Sequence, residues 1–101
     1  MYDSVYDDLA EAQTRRRQAA DLAHIAAYYG LDRLGIRVAI GGRVRHEGRE
    51  GTVVDTAGQW LEVLLGEDEV PCVCHATSGM AYETAAGWVA PAGAAQLTIT
   101  P

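Results

Sequence analysis

Three residues in one short run, Cys72, Cys74 and His75, are of the types that bind metals or carry redox chemistry. Their spacing argues against both. On a strand the two cysteines face one side and His75 the other, whereas the four ligands of a structural zinc site must converge. The redox motif also places two residues between its cysteines, not one. We therefore predict small apolar core residues, with no bound metal, no cofactor and no mutual disulfide.

The histidines do not indicate catalysis. No Ser–His–acid arrangement and no favoured pair of carboxylates stands out around His24, His46 or His75. We interpret all three as solvated or hydrogen-bonded surface side chains. The sequence therefore predicts no catalytic residues, and we expect a protein that is not an enzyme.

The basic residues Arg43, Arg45 and Arg49 form one cluster. Arg43 and Arg45 share a strand face and can present two guanidinium groups together, which suits contact with phosphate. Glu47 and Glu50 lie in the same segment, so three arginines against two glutamates leave a net charge of only +1 over residues 43–50. The alternative interpretation is a solvated face held by salt bridges.

The two tryptophans also have two interpretations each. Trp60 begins a run that alternates Leu61, Val63 and Leu65, so it belongs to a core or to its rim. Trp88 follows Gly87 near a proline-containing turn and is either core or an exposed platform for a peptide. Together with the arginine cluster they form our candidate binding surface, which comprises Arg43, Arg45, Arg49, Trp60 and Trp88.

Around the arginine cluster the chain resembles a known family. Gly42-Arg43-Val44, followed by a run over residues 48–54, resembles the opening hairpin of an SH3-like barrel. It is most similar to KOW and Tudor-like modules, whose signature Gly-x-x-Gly-x-Val corresponds here to Gly48, Gly51 and Val53. The resemblance implies a five-stranded barrel that binds RNA, DNA, ribosomes, polymerase or peptides on its surface.

The pattern of short apolar runs and turns agrees with such a sheet. Gly48 and Gly51 are expected in a turn, one or both with positive φ. The segment over residues 80–88 is ambiguous. The predicted strands are residues 36–40, one around Val44, 52–54, 60–65, 70–76 and, last, 96–100.

A long helix is predicted from about Ser4 to Tyr29, because acidic residues occupy its first turns and Gly30 suits its end. At 1.5 Å per residue it would be roughly 39 Å long. A barrel of strands this short is about 20–25 Å across. We expect the helix to bend or to extend beyond the sheet.

The helix carries a heptad seam with one charged member, Arg16. A second apolar stripe, Leu22, Ile25 and Tyr29, predicts that the C-terminal half is the buried half. Either the helix simply packs on its own sheet, or the seam pairs with another helix or a protein partner. The seam consists of Val5, Leu9, Ala12, Arg16, Ala19, Ala23 and Ala26.

Charge and composition narrow the function further. The 101 residues carry a net charge of −6 and contain no lysine, and all eight arginines lie in residues 1–50. Nucleic-acid binders are usually strongly basic. No apolar run approaches the ~20 residues that span a bilayer, and no secretory signal is expected at the acidic N-terminus, which predicts a cytoplasmic protein. Abundant Ala, Gly and Arg without Lys is typical of GC-rich genomes, such as those of actinobacteria or their phages.

The expected fold is therefore α+β, with a long N-terminal α-helix and connector over residues 1–35 and a small five-stranded SH3-like β-barrel over residues 36–101 that includes the C-terminal strand. The expected function is a non-catalytic binding or adaptor module that contacts proteins, itself included, through the helix seam and the acidic barrel. The alternative is a KOW-like regulatory module that contacts RNA or DNA through Arg43, Arg45 and Arg49. No membrane partner is expected.

Overall fold

The computed structural model describes residues 2–91, with side chains from residue 7 onwards. It contains one long helix followed by six antiparallel strands, so the expected α+β class is confirmed. The elements are α1 (Tyr2–Tyr28), a short 3-10 helix (Asp32–Leu34), β1 (Arg43–His46), β2 (Arg49–Ala57), β3 (Trp60–Leu65), β4 (Cys72–His75), β5 (Met80–Thr84) and β6 (Gly87–Val89).

The helix ends where the sequence predicts. Gly30 adopts a left-handed conformation with φ of 66°, which a residue without a Cβ tolerates at no steric cost. The N–H of Leu31 then donates to the carbonyl of Ala26 at 2.9 Å, and the Leu31 side chain is fully buried. This reversal brings the chain back under the C-terminal half of α1.

The sheet has the order β4-β3-β2-β1-β5-β6. Strands β1 to β4 form a meander, and β5 returns to pair with the free side of β1. The closed five-stranded barrel that we expected is not confirmed, because the described chain has six strands in an open order. Within residues 2–91, β4 and β6 are the two edges.

The predicted strand over residues 36–40 is wrong. This segment is a connector that ends in a turn, where the N–H of Gly42 donates to the carbonyl of Ala39 at 3.0 Å. Two of its apolar residues still reach the core, since Ile36 is buried and Val38 packs against the buried cluster. The third, Ile40, is exposed, so the alternation predicted the burial of two side chains but not the pairing of a strand. The predicted strand over residues 96–100 lies outside the described residues, and the ambiguous segment forms β5 and β6.

The two signature glycines serve different purposes. Gly48 lies in the β1–β2 turn with φ of 83°, as predicted. Gly51 was expected in the same turn but lies within β2, opposite Leu65. A Cβ on Gly51 would come within 2.5 Å of the Leu64 carbonyl oxygen, so a close approach of two backbones requires this glycine.

The core lies between the sheet and the C-terminal half of α1. The helix contributes the fully buried Ile25, and Leu22 and Tyr29 pack at the margin, which confirms the prediction that this half is the buried one. The remaining buried apolar residues come from the connector, from all strands except β6 and from the residue that follows β4, and they are Leu31, Ile36, Val44, Val53, Leu61, Val63, Leu65, Cys74, Ala76, Met80 and Tyr82.

Candidate protein-binding surfaces

A polar junction fixes α1 to the end of β2. The Arg17 guanidinium donates to the Thr56 carbonyl at 2.8 Å and to the Asp55 carboxylate at 2.8 Å. Gln18 donates to the same Asp55 oxygen at 3.0 Å. The buried Thr56 hydroxyl donates to Asp21 at 2.7 Å and accepts from Arg17 at 3.1 Å. These bonds set where along its length the helix meets the sheet.

Charge in this junction is stabilised by hydrogen bonds. The amide of Gln18, the guanidinium of Arg17 and the backbone N–H of Thr56 hold the pKa of Asp55 at about 2, below its ordinary 3.8. Each donor favours the ionised carboxylate over the protonated form. Asp55 therefore stays ionised down to a lower pH than an aspartate with an ordinary pKa.

The heptad seam does not face the sheet. At 100° per residue around an α-helix, Leu9, Arg16 and Ala23 lie roughly opposite Ile25. All three are exposed, and the exposed fraction of Leu9 is 55%. Ala19 is exposed as well, whereas Ala12 and Ala26 are half-buried. The helix packs on its own sheet through the second stripe, and four residues of the seam, Leu9, Arg16, Ala19 and Ala23, are exposed.

The three arginines of the predicted cluster have separate neighbours. Arg43 pairs with Glu50 at 2.7 Å, and Arg49 pairs with Asp68 at 3.1 Å. All four side chains are about half exposed, so each pair is worth roughly 0–1 kcal/mol and can be broken by a ligand. The cluster therefore has little unbalanced positive charge to offer.

The third arginine and one tryptophan of the candidate surface do meet. The Arg45 guanidinium carbon lies 4.2 Å from the centre of the Trp88 ring, within range of a cation–π contact. Beside Trp88 is an open concavity of about 720 Å³, lined in part by Arg37 and Glu83. These two side chains carry opposite charges, so the concavity has no single-sign field.

Trp60 lies apart from Arg45 and Trp88. It belongs to an aromatic group on β3 and β4, whereas Arg45 is on β1 and Trp88 on β6. Its ring meets His75 edge to face at 5.4 Å, and His75 meets Tyr29 at 5.2 Å. The Nδ1 atom of His75 accepts the backbone N–H groups of Thr77 at 3.1 Å and Ser78 at 3.2 Å. The ring proton is thus assigned to Nε2, which lies 3.4 Å from the Tyr29 hydroxyl. His75 orders a turn and links it to the end of α1.

The two cysteines are both free and differ in burial. Cys74 is buried as expected, and burial, followed by the neighbouring Cys72 thiol, raises its pKa to about 12. The prediction that Cys72 is also buried is wrong, because it begins β4 at the edge of the sheet and is exposed. Among the described residues, no group of three or more His, Cys, Asp or Glu side chains is placed to hold a metal ion.

The edge formed by β4 is apolar and exposed. Val73 is 57% exposed, Val70 just before the strand is 76% exposed, and Trp60 on the neighbouring strand is 47% exposed. Within the described residues β4 pairs only with β3. Alternate backbone N–H and C=O groups of β4 therefore point away from the sheet, with no partner strand among residues 2–91.

Sequence reasoning missed two of these features. The junction was not predicted, although the i,i+4 spacing of Arg17 and Asp21 is a visible signal for one of its ion pairs. Asp55 and Thr56 could not be assigned to it, because nothing in the neighbouring sequence shows that a helix packs there. The exposed edge was missed because the sheet was expected to close.

No helix among the described residues is both long and apolar enough to cross a membrane.

Comparisons with known proteins gave no relative for this chain. No family model matches it, and searches of curated proteins and of solved structures gave no match either. Its function has to be inferred from its own surfaces.

Proposed function

We propose that the chain is a non-catalytic protein-binding module that self-associates through the exposed seam of α1. The observation that supports this proposal best is the orientation of the helix. Its second stripe packs on the sheet, while Leu9, Ala19 and Ala23 stay exposed. Small side chains let a second helix approach closely, so the seam suits another helix better than it suits solvent.

The charges on α1 favour an antiparallel pair. Asp7, Asp8 and Glu11 lie near its start, and Arg15, Arg16 and Arg17 follow in the middle. Antiparallel helices centred near Ala12 place Arg16 of one copy beside Leu9 and Asp8 of the other. The aliphatic stem of Arg16 then covers Leu9, and its guanidinium reaches the Asp8 carboxylate. Arg16, which interrupts the seam, becomes the residue that sets its register.

The SH3-like assignment belongs to the same proposal. A short-stranded meander in which β5 returns beside β1 supports a likeness to SH3-like barrels, with β6 added at one edge. The turn glycine Gly48 and the close-contact glycine Gly51 give the Gly-x-x-Gly-x-Val run a structural meaning. In this proposal the sheet is a scaffold for protein contacts in a cytoplasmic accessory protein.

A charge swap tests the pairing directly. Arg16→Asp and Asp8→Arg should each weaken self-association, because each brings like charges together across the seam. The double variant should restore it, since the pair is re-formed with its signs exchanged. Light scattering and sedimentation over a range of protein concentrations would measure the monomer–dimer equilibrium.

A matched pair of variants provides the control. Leu9→Lys places a second cation beside Arg16 of the other copy, whereas Thr14→Lys places the same group on the opposite side of the exposed half. Only the first should shift the equilibrium towards monomer. A protein that is monomeric at every concentration, or a double charge variant that fails to recover, would contradict the antiparallel dimer.

The alternative function, a KOW-like contact with RNA or DNA, has weaker support. Arg43 and Arg45 do lie on one face of β1, but Arg43 and Arg49 are already paired with acids. The chain as a whole repels phosphate with its net charge of −6. Binding to nonspecific nucleic acid with a steep salt dependence would favour this alternative over the protein-binding one.

A further inference from the structure

The exposed edge of the described sheet, strand β4, is flanked by apolar and acidic side chains. We propose that β4 accepts an extended, basic segment of a partner protein, which adds to the sheet as a seventh strand beside Cys72–His75. This inference deepens the proposed function, since it rests on the chain being a protein-binding module. It uses a surface separate from the helix seam, so the two can fail independently.

The backbone of β4 is ready for strand addition. The strand is paired on one side only within residues 2–91, and its free side can offer main-chain hydrogen bonds to an incoming strand. Proteins usually protect such edges with charged side chains or proline. Here Val73, at the middle of the strand, is 57% exposed, and Pro71 precedes the strand instead of lying within it.

The side chains around β4 define the partner. Val73 lies opposite Glu62 on β3, and the loop before β4 carries Glu67 and Glu69. None of these three carboxylates has an ion-pair partner among the described side chains. An added strand with lysine or arginine at alternate positions would neutralise this acidic field and cover Val73 at the same time.

The two ends of β4 differ, which gives the site a direction. Cys72 lies next to the acidic loop, whereas His75 lies opposite Trp60 at the aromatic end. The partner strand should therefore carry its basic residues at one end and an apolar or aromatic residue at the other. A second copy of this chain fits poorly, because an edge-to-edge pair about a two-fold axis would bring two acidic surfaces into one sheet.

A synthetic peptide can test the site on the full-length protein. The probe is a short peptide in two parts. Lysine alternates with valine in the first part, and threonine alternates with valine in the second part, which ends in tryptophan. A second peptide has the same residues in reversed order. Isothermal titration should show binding of one order in preference to the other. Hydrogen exchange should show new protection at alternate amides of residues 72–75 and at no other edge.

Backbone methylation separates strand addition from simple attraction between charges. Two N-methylated versions of the preferred peptide block the odd-numbered or the even-numbered amides. Strand addition uses one set only, so one version should lose binding and the other should keep it. Equal binding by both versions would mean ionic adsorption and would overturn the proposal.

Two lysine substitutions provide the matched control. Val73→Lys and Leu9→Lys each replace an exposed apolar side chain by the same cation. Val73→Lys should weaken peptide binding by more than about tenfold, because it places like charges side by side in the added sheet. Leu9→Lys changes the net charge equally and should leave peptide binding unchanged, although it should weaken the α1 dimer.

These outcomes also identify other occupants. If the amides of residues 72–75 are all protected in the free protein and the protection is independent of concentration, another part of the same chain covers the edge and the proposal is wrong. If the protection rises with protein concentration and persists in the Leu9→Lys variant, a second copy of the chain occupies the edge. This outcome also contradicts the proposal. Loss of the dimer with intact peptide binding would remove only the helix pairing.

Discussion

The two halves of α1 differ in sequence and in surroundings, since only the C-terminal half carries the second apolar stripe. The C-terminal half buries Ile25 completely and is anchored by the junction with Asp55 and Thr56. In the N-terminal half the side chains over residues 7–14 are exposed apart from the half-buried Ala12, and Leu9 is 55% exposed. A continuous helix therefore has one half whose stability comes from packing and another whose apolar residues are still available for binding.

Truncating an apolar side chain in each half gives the largest expected contrast. Ile25→Ala should lower the free energy of unfolding by about 2–5 kcal/mol, because it leaves a cavity in a packed core. Leu9→Ala should change it by less than about 0.5 kcal/mol while the protein is monomeric. Urea denaturation at low protein concentration would measure both. Equal losses would mean that the N-terminal half is packed after all.

Removing a threonine hydroxyl, either from the junction or from the exposed half of α1, should give a smaller difference in the free energy of unfolding. Thr56→Val should cost about 1–3 kcal/mol, since Asp21 and Arg17 each lose a hydrogen bond at a buried position. Thr14→Val in the exposed half is the matched control and should stay within about 0.5 kcal/mol of the wild type. A Thr56→Val protein as stable as the wild type would show that the junction contributes no net stability.

The smallest effect depends on pH and belongs to the anchored half alone. The pKa of Asp55 is about 2 in the folded protein and ordinarily 3.8. Its charge therefore stabilises the fold above about pH 4, and this contribution disappears as the pH falls from about 4 to 2. Its size should not exceed about 1 kcal/mol, because the side chain is 35% exposed and partly screened.

The replacement Asp55→Asn isolates that contribution, since an amide keeps the size of the group but not its charge. The difference in melting temperature between wild type and variant should be largest near neutral pH and should shrink as the pH is lowered towards 2. A difference that stays constant over this range would mean that the ionised form of Asp55 does not matter.

Local features of the sequence were enough to predict the helix, its end at Gly30 and the strand over residues 60–65. In each case the signal is carried by neighbours in the chain, such as a helical apolar stripe, a glycine at a helix end or an alternating run. The positive φ of Gly48 belongs to the same class. The sequence alone also showed that all eight arginines lie in residues 1–50, because composition does not depend on the fold.

Only the tertiary structure decided which apolar stripe of α1 faces the sheet, and it chose Leu22, Ile25 and Tyr29 over the longer seam. It also decided that residues 36–40 contribute side chains to the core without joining the ladder, and that Gly51 is required by the Leu64 carbonyl rather than by a turn. The physical reason is common to all three: each depends on a contact between segments far apart in the chain. Local pattern reports that a side chain should be buried, but the partner that buries it is settled only when the whole chain packs.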